Sequence, residues 1–174
     1  MALLRPIPAP HPDGVEAPGG PRRDSEAGGG PLRQLTAGEI LVSRGQLAAV
    51  DLVASVADRI MWGSTLGEVL IGKGLVRPFD YYRALAEAYG CAFVNLHADP
   101  PDAELLDPAD RAGYVELELI PWRREGGRVM IAAVEVGEPQ REWAEKRYGA
   151  EGYGFVVTAP FDIFWFLQDR FRET

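Results

Sequence analysis

Cysteine is nearly missing: Cys91 is the one thiol in 174 residues. That excludes an internal disulfide and a cysteine zinc cluster, and it fits a reducing compartment. Histidine is almost as scarce, with two residues, and no His-Glu-x-x-His metal motif occurs. Long apolar runs are absent as well. No window approaches the roughly 18–20 apolar residues of a membrane span, and the opening MALLRPIPAPHPDG has no apolar run of signal-peptide length. Basic charge is short: 18 Lys and Arg stand against 26 Asp and Glu, a formal charge of −8, which argues against a general nucleic-acid binder. Catalytic signatures are missing too. There is no Gly-x-Ser-x-Gly, and the triple glycine at 28–30 is followed by Pro-Leu-Arg-Gln rather than by the Gly-Lys-Ser/Thr of a phosphate loop. The expectation is a cytoplasmic chain that is not an enzyme in its own right and has no metal or resident cofactor.

With 47% hydrophobic and 25% charged residues, what remains has the composition of a globular protein. The length allows one domain or two very small ones. Residues 1–33 are rich in Pro, Gly and Arg, most clearly in GGPRRDSEAGGG. Such a segment buries too little apolar surface to offset the entropy of ordering, so a disordered arm is expected there. Residues 34–174 are expected to form one compact unit, with 34–90 helical and 91–174 a small α+β part.

The helical part contains a doubled motif. TAGEILVSRGQL at 36–47 returns as TLGEVLIGKGLV at 65–76. Identical residues recur at Gly38/Gly67, Glu39/Glu68, Leu41/Leu70, Gly45/Gly74, Asp51/Asp80 and Ala57/Ala86. A period of this length marks a duplicated supersecondary unit. Each copy opens on Thr-x-x-Glu, Thr36 to Glu39 and Thr65 to Glu68, the capping-box pattern that starts a helix. Gly45 and Gly74 stand where a short helix would end in the left-handed conformation. A longer amphipathic helix follows in each copy. Leu52, Val53, Val56 and Ile60 mark the first, and Tyr82, Leu85 and Tyr89, after Pro78, mark the second. Two helical hairpins packed together are predicted.

Beyond them the pattern changes. CAFVNL (91–96) reads as a strand and HADPPD (97–102) as a loop, with a short helix or turn over 103–113. YVELELIPWRREGGRVMIAAVE (114–135) reads as two strands joined at Gly126-Gly127. A helix from Pro139, a strand at 154–159 and a terminal helix from Pro160 complete an α+β fold with three or four strands.

In order and spacing, LTAGEILVSRGQL, STLGEVLIGKGLV, YYRALAEAYGCAFVNL, LIPWRREGGRVMIAAVE and FVVTAPFDI resemble one known family. It is the N-terminal domain of type II secretion and type IV pilus assembly ATPases, which also precedes some bacterial family 2 glycosyltransferases. The resemblance covers about residues 35–172. IPWRREGG and FVVTAPFDI are worded more like the glycosyltransferase-linked versions. The resemblance implies a regulatory or docking domain whose partner is another protein or a catalytic domain in cis, placed at the inner face of the bacterial membrane through that partner.

Some members of the family bind cyclic di-GMP through a doubled motif of the form Arg-Leu-Gly-x-x-Leu-Val-x-x-Gly-x-Ile, with a Gln about a dozen residues later. Carried over position by position, the ligand-binding candidates are Thr36, Gly38, Leu41, Gly45 and Arg59 in the first copy. In the second they are Thr65, Leu66, Gly67, Leu70 and Gly74. The two Arg positions hold Thr36 and Thr65, and the Gln positions hold Arg59 and Ala88. A dianionic dinucleotide is normally gripped by guanidinium groups. Losing two such contacts, each worth on the order of 1.5–3 kcal/mol, would weaken binding by several powers of ten. The motif therefore reads as degenerate for cyclic di-GMP, with Arg33, Arg59 and Lys73 the candidates if other side chains substitute.

Remaining constellations carry little catalytic chemistry. Glu39 and Glu68 are accounted for by capping, and His97 with Asp99 and Asp102 gives too few ligands for zinc. Cys91 has no base beside it. Arg123, Arg124 and Arg128 flank the predicted hairpin turn, near Lys146 and Arg147, and form a candidate interaction patch. The terminal PFDIFWFLQDRF holds too many apolar residues for one helix face. Phe164, Leu167 and Phe171 are expected to face the sheet, leaving Phe161 and Trp165 as an accessible contact surface.

Overall fold

A computed structural model describes residues 37–172. The arm expected over 1–33, and Arg33 and Thr36, lie outside the described residues. Residues 37–43 are helical (α1), followed by α2 (Ala49–Trp62), α3 (Leu66–Gly72) and α4 (Pro78–Tyr89). These are the two predicted hairpins, and their local geometry repeats. The amides of Gly45 and Gln46 donate to the carbonyls of Val42 and Leu41 at 3.0 and 2.9 Å; those of Gly74 and Leu75 donate to Ile71 and Leu70 at 2.9 and 3.0 Å. This bond pair closes a helix through a left-handed glycine, and Gly45 and Gly74 have φ of 69° and 68°. Asp51 and Asp80 both sit in the first turn of the longer helices, where a carboxylate meets the positive end of the helix dipole.

The repeat extends into packing. A Cβ on Gly38 would lie 2.4 Å from Leu52 Cδ1, and one on Gly67 would lie 2.5 Å from Tyr81 Cε1. Leu52 and Tyr81 are equivalent positions of the two copies. In each hairpin the motif glycine is the gap into which the longer helix inserts a large side chain.

α2 departs from the sequence expectation. Leu52 and Ser55 face inward and Val56 is half-buried, whereas Val50, Val53, Ile60 and Met61 are exposed. Apolar residues occupy both faces of this helix, so periodicity alone could not choose, and the Gly38 gap does.

The second half begins with a correction. Residues 91–96 make one parallel bridge, Phe93 to Val157, instead of a strand. Asn95 ends the pairing: its Oδ1 accepts from the amides of His97 and Ala98 at 3.0 and 3.4 Å, an Asx turn that folds the chain back. Two single-turn 3-10 helices, Ala103–Leu105 and Pro108–Asp110, lead into α5 (Arg111–Glu116). Tyr114 therefore lies in a helix where a strand start was expected, and Glu118, at φ 48°, turns the chain into the sheet.

Strands β1 (Leu119–Glu125), β2 (Arg128–Ala133) and β3 (Tyr153–Val157) are ordered β1-β2-β3. β1 and β2 are antiparallel around Gly126-Gly127, whose positive φ values of 57° and 77° suit a two-residue hairpin. β2 and β3 are parallel, connected through α6 (Glu138–Tyr148). The β1–β2 register shifts between Pro121 and Arg123. At that bulge Trp122 Nε1 donates to the Asp99 carbonyl at 3.0 Å, and the Trp122 carbonyl accepts from the Asp102 amide at 2.7 Å. The irregularity thus pins the 97–102 loop to the sheet.

Helix α7 (Pro160–Arg170) closes the described chain. Its inward residues are Asp162, Ile163 and Leu167; of the expected Phe164–Leu167–Phe171 stripe, Leu167 is the buried member. Phe164 lies outward, and Phe171 is only partly buried against the core. Asp162 sets the rotation: 2% exposed, its Oδ2 accepts from the Leu96 amide at 3.1 Å. Buried apolar residues from Ala37 to Leu167 form one cluster shared by the hairpins, sheet and terminal helix.

Candidate functional site

The motif positions divide by role. Gly38, Leu41, Leu66, Gly67 and Leu70 are buried, while Gly45 and Gly74 are exposed helix-ending residues. Arg59 is half-buried on α2. Thr65 is half-buried, and its Oγ1 accepts from the Glu68 amide at 3.2 Å while Glu68 Oε2 accepts from the Thr65 amide at 2.7 Å. The predicted capping box is thus closed at the second copy, and the threonine standing at an arginine position has its side chain engaged in starting a helix. Thr65→Ala is expected to cost about 1 kcal/mol of stability, measured by urea denaturation.

Thr65 and Glu68 line a cavity of about 140 Å³ between the second hairpin and the α+β half, with Tyr81, Tyr82, Glu118, Val134, Glu135 and Pro160. Three carboxylates from distant parts of the chain meet at its wall. Burial, then repulsion from Glu135 and Glu68, raises the Glu118 carboxyl above its ordinary range. Burial first, and Glu135 second, pushes the Tyr81 phenol far upward, and burial drives the same direction at Tyr82.

The raised Glu118 has a stability consequence. The folded chain holds that proton more tightly than the unfolded chain, so stability is lost as pH rises through the folded pKa. Glu118→Gln is therefore expected to raise Tm at pH 7. The gain should vanish below the ordinary glutamate range, where both states are protonated. Thermal melts of the two chains between pH 3.5 and 8 check the sign.

The predicted interaction surface lies elsewhere. Phe161 is 69% and Trp165 44% exposed on α7. His97, expected in a solvated loop, packs on them: its ring centroid is 4.4 Å from Trp165 and 6.1 Å from Phe161, and Nε2 is 3.5 Å from Asp162 Oδ1. Among the described residues, no three His, Cys, Asp or Glu side chains converge as metal ligands. Cys91 is half-buried.

The arginine patch is charge-compensated. Arg123 stacks over Trp122 at 3.7 Å and pairs with Asp99 at 3.1 Å and Glu125 at 2.6 Å. Arg124 pairs with Glu151, and Arg147 with Asp107 and Asp110 at 2.7 and 2.9 Å. A wider cavity of about 490 Å³ opens among Arg124, Arg147, Glu104, Asp107 and Glu151, so its guanidiniums already have carboxylate partners. Arg128 is exposed at the hairpin end. Sequence reading missed the α2 surface of Val50, Val53, Ile60 and Met61, 71–77% exposed. It also missed the three-glutamate cavity, because no local pattern joins residues 68, 118 and 135.

Residues 89–174 match the family model of the MshEN domain. Over this segment the chain is similar to the MshEN domain family. The MshEN match runs from the end of α4 through the sheet to α7, and the two motif copies precede it. The fold relationship reaches further. The structure of MshE with cdg superposes with a TM-score of 0.68 at 18% identity, covering 78% of this chain and 98% of that one. The N-terminal domain of XpsE gives 0.58 at 22% identity, covering 79% and 94%. At such identities the likeness shows the fold: an α+β domain of the MshE N-terminal kind. No curated protein matches the sequence. No described helix is long and apolar enough to cross a membrane.

Proposed function

We propose that this chain is a non-catalytic docking and regulatory domain, accessory to a secretion ATPase or a glycosyltransferase, in which the doubled cyclic di-GMP motif serves as a folding unit. The observation that carries this is the surrounding of Thr65. Where a receptor would present an arginine to a phosphate, this chain has a capped threonine beside Glu68, Glu118 and Glu135. Added carboxylates repel a dianion instead of holding it. In the same reading residues 34–174 act as one unit, and the partner, in trans or in cis, is met through the α7 face at Phe161 and Trp165.

A second reading, a cyclic di-GMP receptor with substituted contacts, is favoured by one observation: MshE, of the same fold, has been solved with cdg. It would need Arg33, Arg59 or Lys73 to replace the missing arginines. Lys73 pairs with Asp58 and lies 5.7 Å from the Trp62 ring, so it would have to leave both.

Thermal shift tests the choice. A ligand at 100 times its Kd stabilises the folded state by about 2.7 kcal/mol. Cyclic di-GMP at high concentration is expected to leave Tm unchanged. A rise that saturates with ligand supports the receptor instead.

A further inference from the structure

The outer edge of β3 is only half used. The Gly152 carbonyl accepts from the Val129 amide and the Thr158 amide donates to the Ala133 carbonyl, both at 3.0 Å. The even-numbered residues of this strand therefore turn their backbone groups to β2. Tyr153, Phe155 and Val157 turn theirs outward, since a residue in a parallel ladder points its N–H and C=O to one side. Val157 is paired there: its amide donates to the Ala92 carbonyl at 2.9 Å, and its carbonyl accepts from the Val94 amide at 2.8 Å. Upstream the pairing stops. α4 ends through Gly90 at φ 68°, and the Cys91 amide donates to the Ala86 carbonyl at 3.0 Å, so the helix cap draws the chain off the sheet. Among the described residues, the amides and carbonyls of Tyr153 and Phe155 are left without a backbone partner. An edge of this kind is a template for another strand, and β3 carries neither the proline nor the lysine that commonly blunts one.

A notch opens beside the free edge. It has a volume of about 230 Å³ and is lined by Tyr89, Cys91, Val136, Arg141, Tyr153 and Phe155. That is below the roughly 300 Å³ at which pockets for larger organic ligands begin, and it suits one inserted side chain. Arginines border it on two sides. Arg141 reaches it from α6, and a Cβ on Gly152 would lie 3.1 Å from Arg128 Cγ, so the Arg128 stem passes the entry to β3. Arg44, Arg77, Arg123, Arg124 and Arg147 each have a carboxylate partner. Arg128 and Arg141 are exposed and form no ion pair among the described residues. Glu145, the nearby acid, stands at the Tyr153 hydroxyl. On a chain of formal charge −8, an open edge between two uncompensated guanidiniums favours an acidic partner.

We propose that the Tyr153–Phe155 edge takes up an extended, acidic segment of a partner protein as an added strand. The outward amides of Tyr153 and Phe155 donate to the segment's carbonyls, and their carbonyls accept from its amides. One apolar side chain of the segment enters the notch against Tyr89 and Phe155. Its carboxylates meet Arg128 and Arg141. This surface uses neither Phe161 nor Trp165, so the inference goes beyond the α7 docking reading and does not depend on it.

The test is an NMR titration of the full chain at physiological salt with the peptide N-acetyl-Val-Glu-Val-Glu-Val-amide. Two controls accompany it: the same peptide with lysine in place of glutamate, and one N-methylated on its backbone amides. Saturable shifts, with slowed amide exchange at Tyr153 and Phe155, are expected for the acidic peptide alone. Arg141→Ala should weaken binding about tenfold, and this exposed residue can be truncated without disturbing the core. Trp165→Ala, on the α7 face, should leave binding unchanged, so the two readings can fail separately. Absence of saturable binding at millimolar peptide overturns the proposal. So does equal binding of the lysine or the N-methylated peptide, or shifts confined to α7. Amide protection at Tyr153 and Phe155 that grows with protein concentration in the absence of peptide would assign the edge to a second copy instead.

Discussion

Gly67→Ala is expected to destabilise the protein by about 1–3 kcal/mol, the range for overpacking a close-packed core. The sign runs against intrinsic preference, because alanine in a helix interior normally gains about 1 kcal/mol over glycine. The new Cβ would stand 2.5, 2.9 and 3.1 Å from Cε1, Cζ and Cδ1 of Tyr81. That ring is 2% exposed and meets Tyr82 edge-on, so it cannot swing aside without opening the seam between α3 and α4. The equivalent change at Gly38 meets Leu52, whose Cδ1 is the close atom at 2.4 Å while Cγ is 3.4 Å away. Leucine can change rotamer, and Leu52 lies near the edge of the core at 8% exposure. Gly38→Ala should cost less than Gly67→Ala. Urea denaturation of both variants reads the difference. A stabilised Gly67→Ala would mean the motif glycine is retained for something other than helix contact.

Asp162→Ala is the second large loss expected. A buried carboxylate that accepts a backbone amide contributes about 1.5–3 kcal/mol, and its removal strands the Leu96 N–H. The effect should be local as well as global. Leu96 follows the Asn95 turn, and His97 lies over Trp165, so the 95–99 loop loses its anchor on α7. Amide hydrogen exchange should accelerate there more than in β2. His97→Ala removes a half-exposed partner and is expected to cost about 1 kcal/mol or less. Equal losses from the two substitutions would contradict the anchoring role given to Asp162.

Local chemistry made much of this fold legible in the sequence. Thr65-x-x-Glu68, Gly45, Gly74, Pro78, Pro160 and Gly126-Gly127 each encode their geometry within a few residues, and each stands where expected. What could not be read depends on contacts distant along the chain. Residues 91–96 have strand composition, but Asn95 turns them after one bridge and Asp162 captures Leu96 from 66 positions away. The rotation of α2 depends on a gap at Gly38, and that of α7 on one buried carboxylate. The family resemblance named the motif positions, and packing shows that five of them, Gly38, Leu41, Leu66, Gly67 and Leu70, are buried. The glutamates around Thr65 were beyond any local pattern.

The central claim is that the doubled motif persists here because it folds, not because it binds. Titration calorimetry of the full chain with cyclic di-GMP, at low and at physiological salt, tests it most directly. The predicted result is no saturable heat at either salt up to high ligand concentration. Saturable binding in the micromolar range or tighter, weakening as salt rises, would contradict it and make the chain a receptor with substituted contacts.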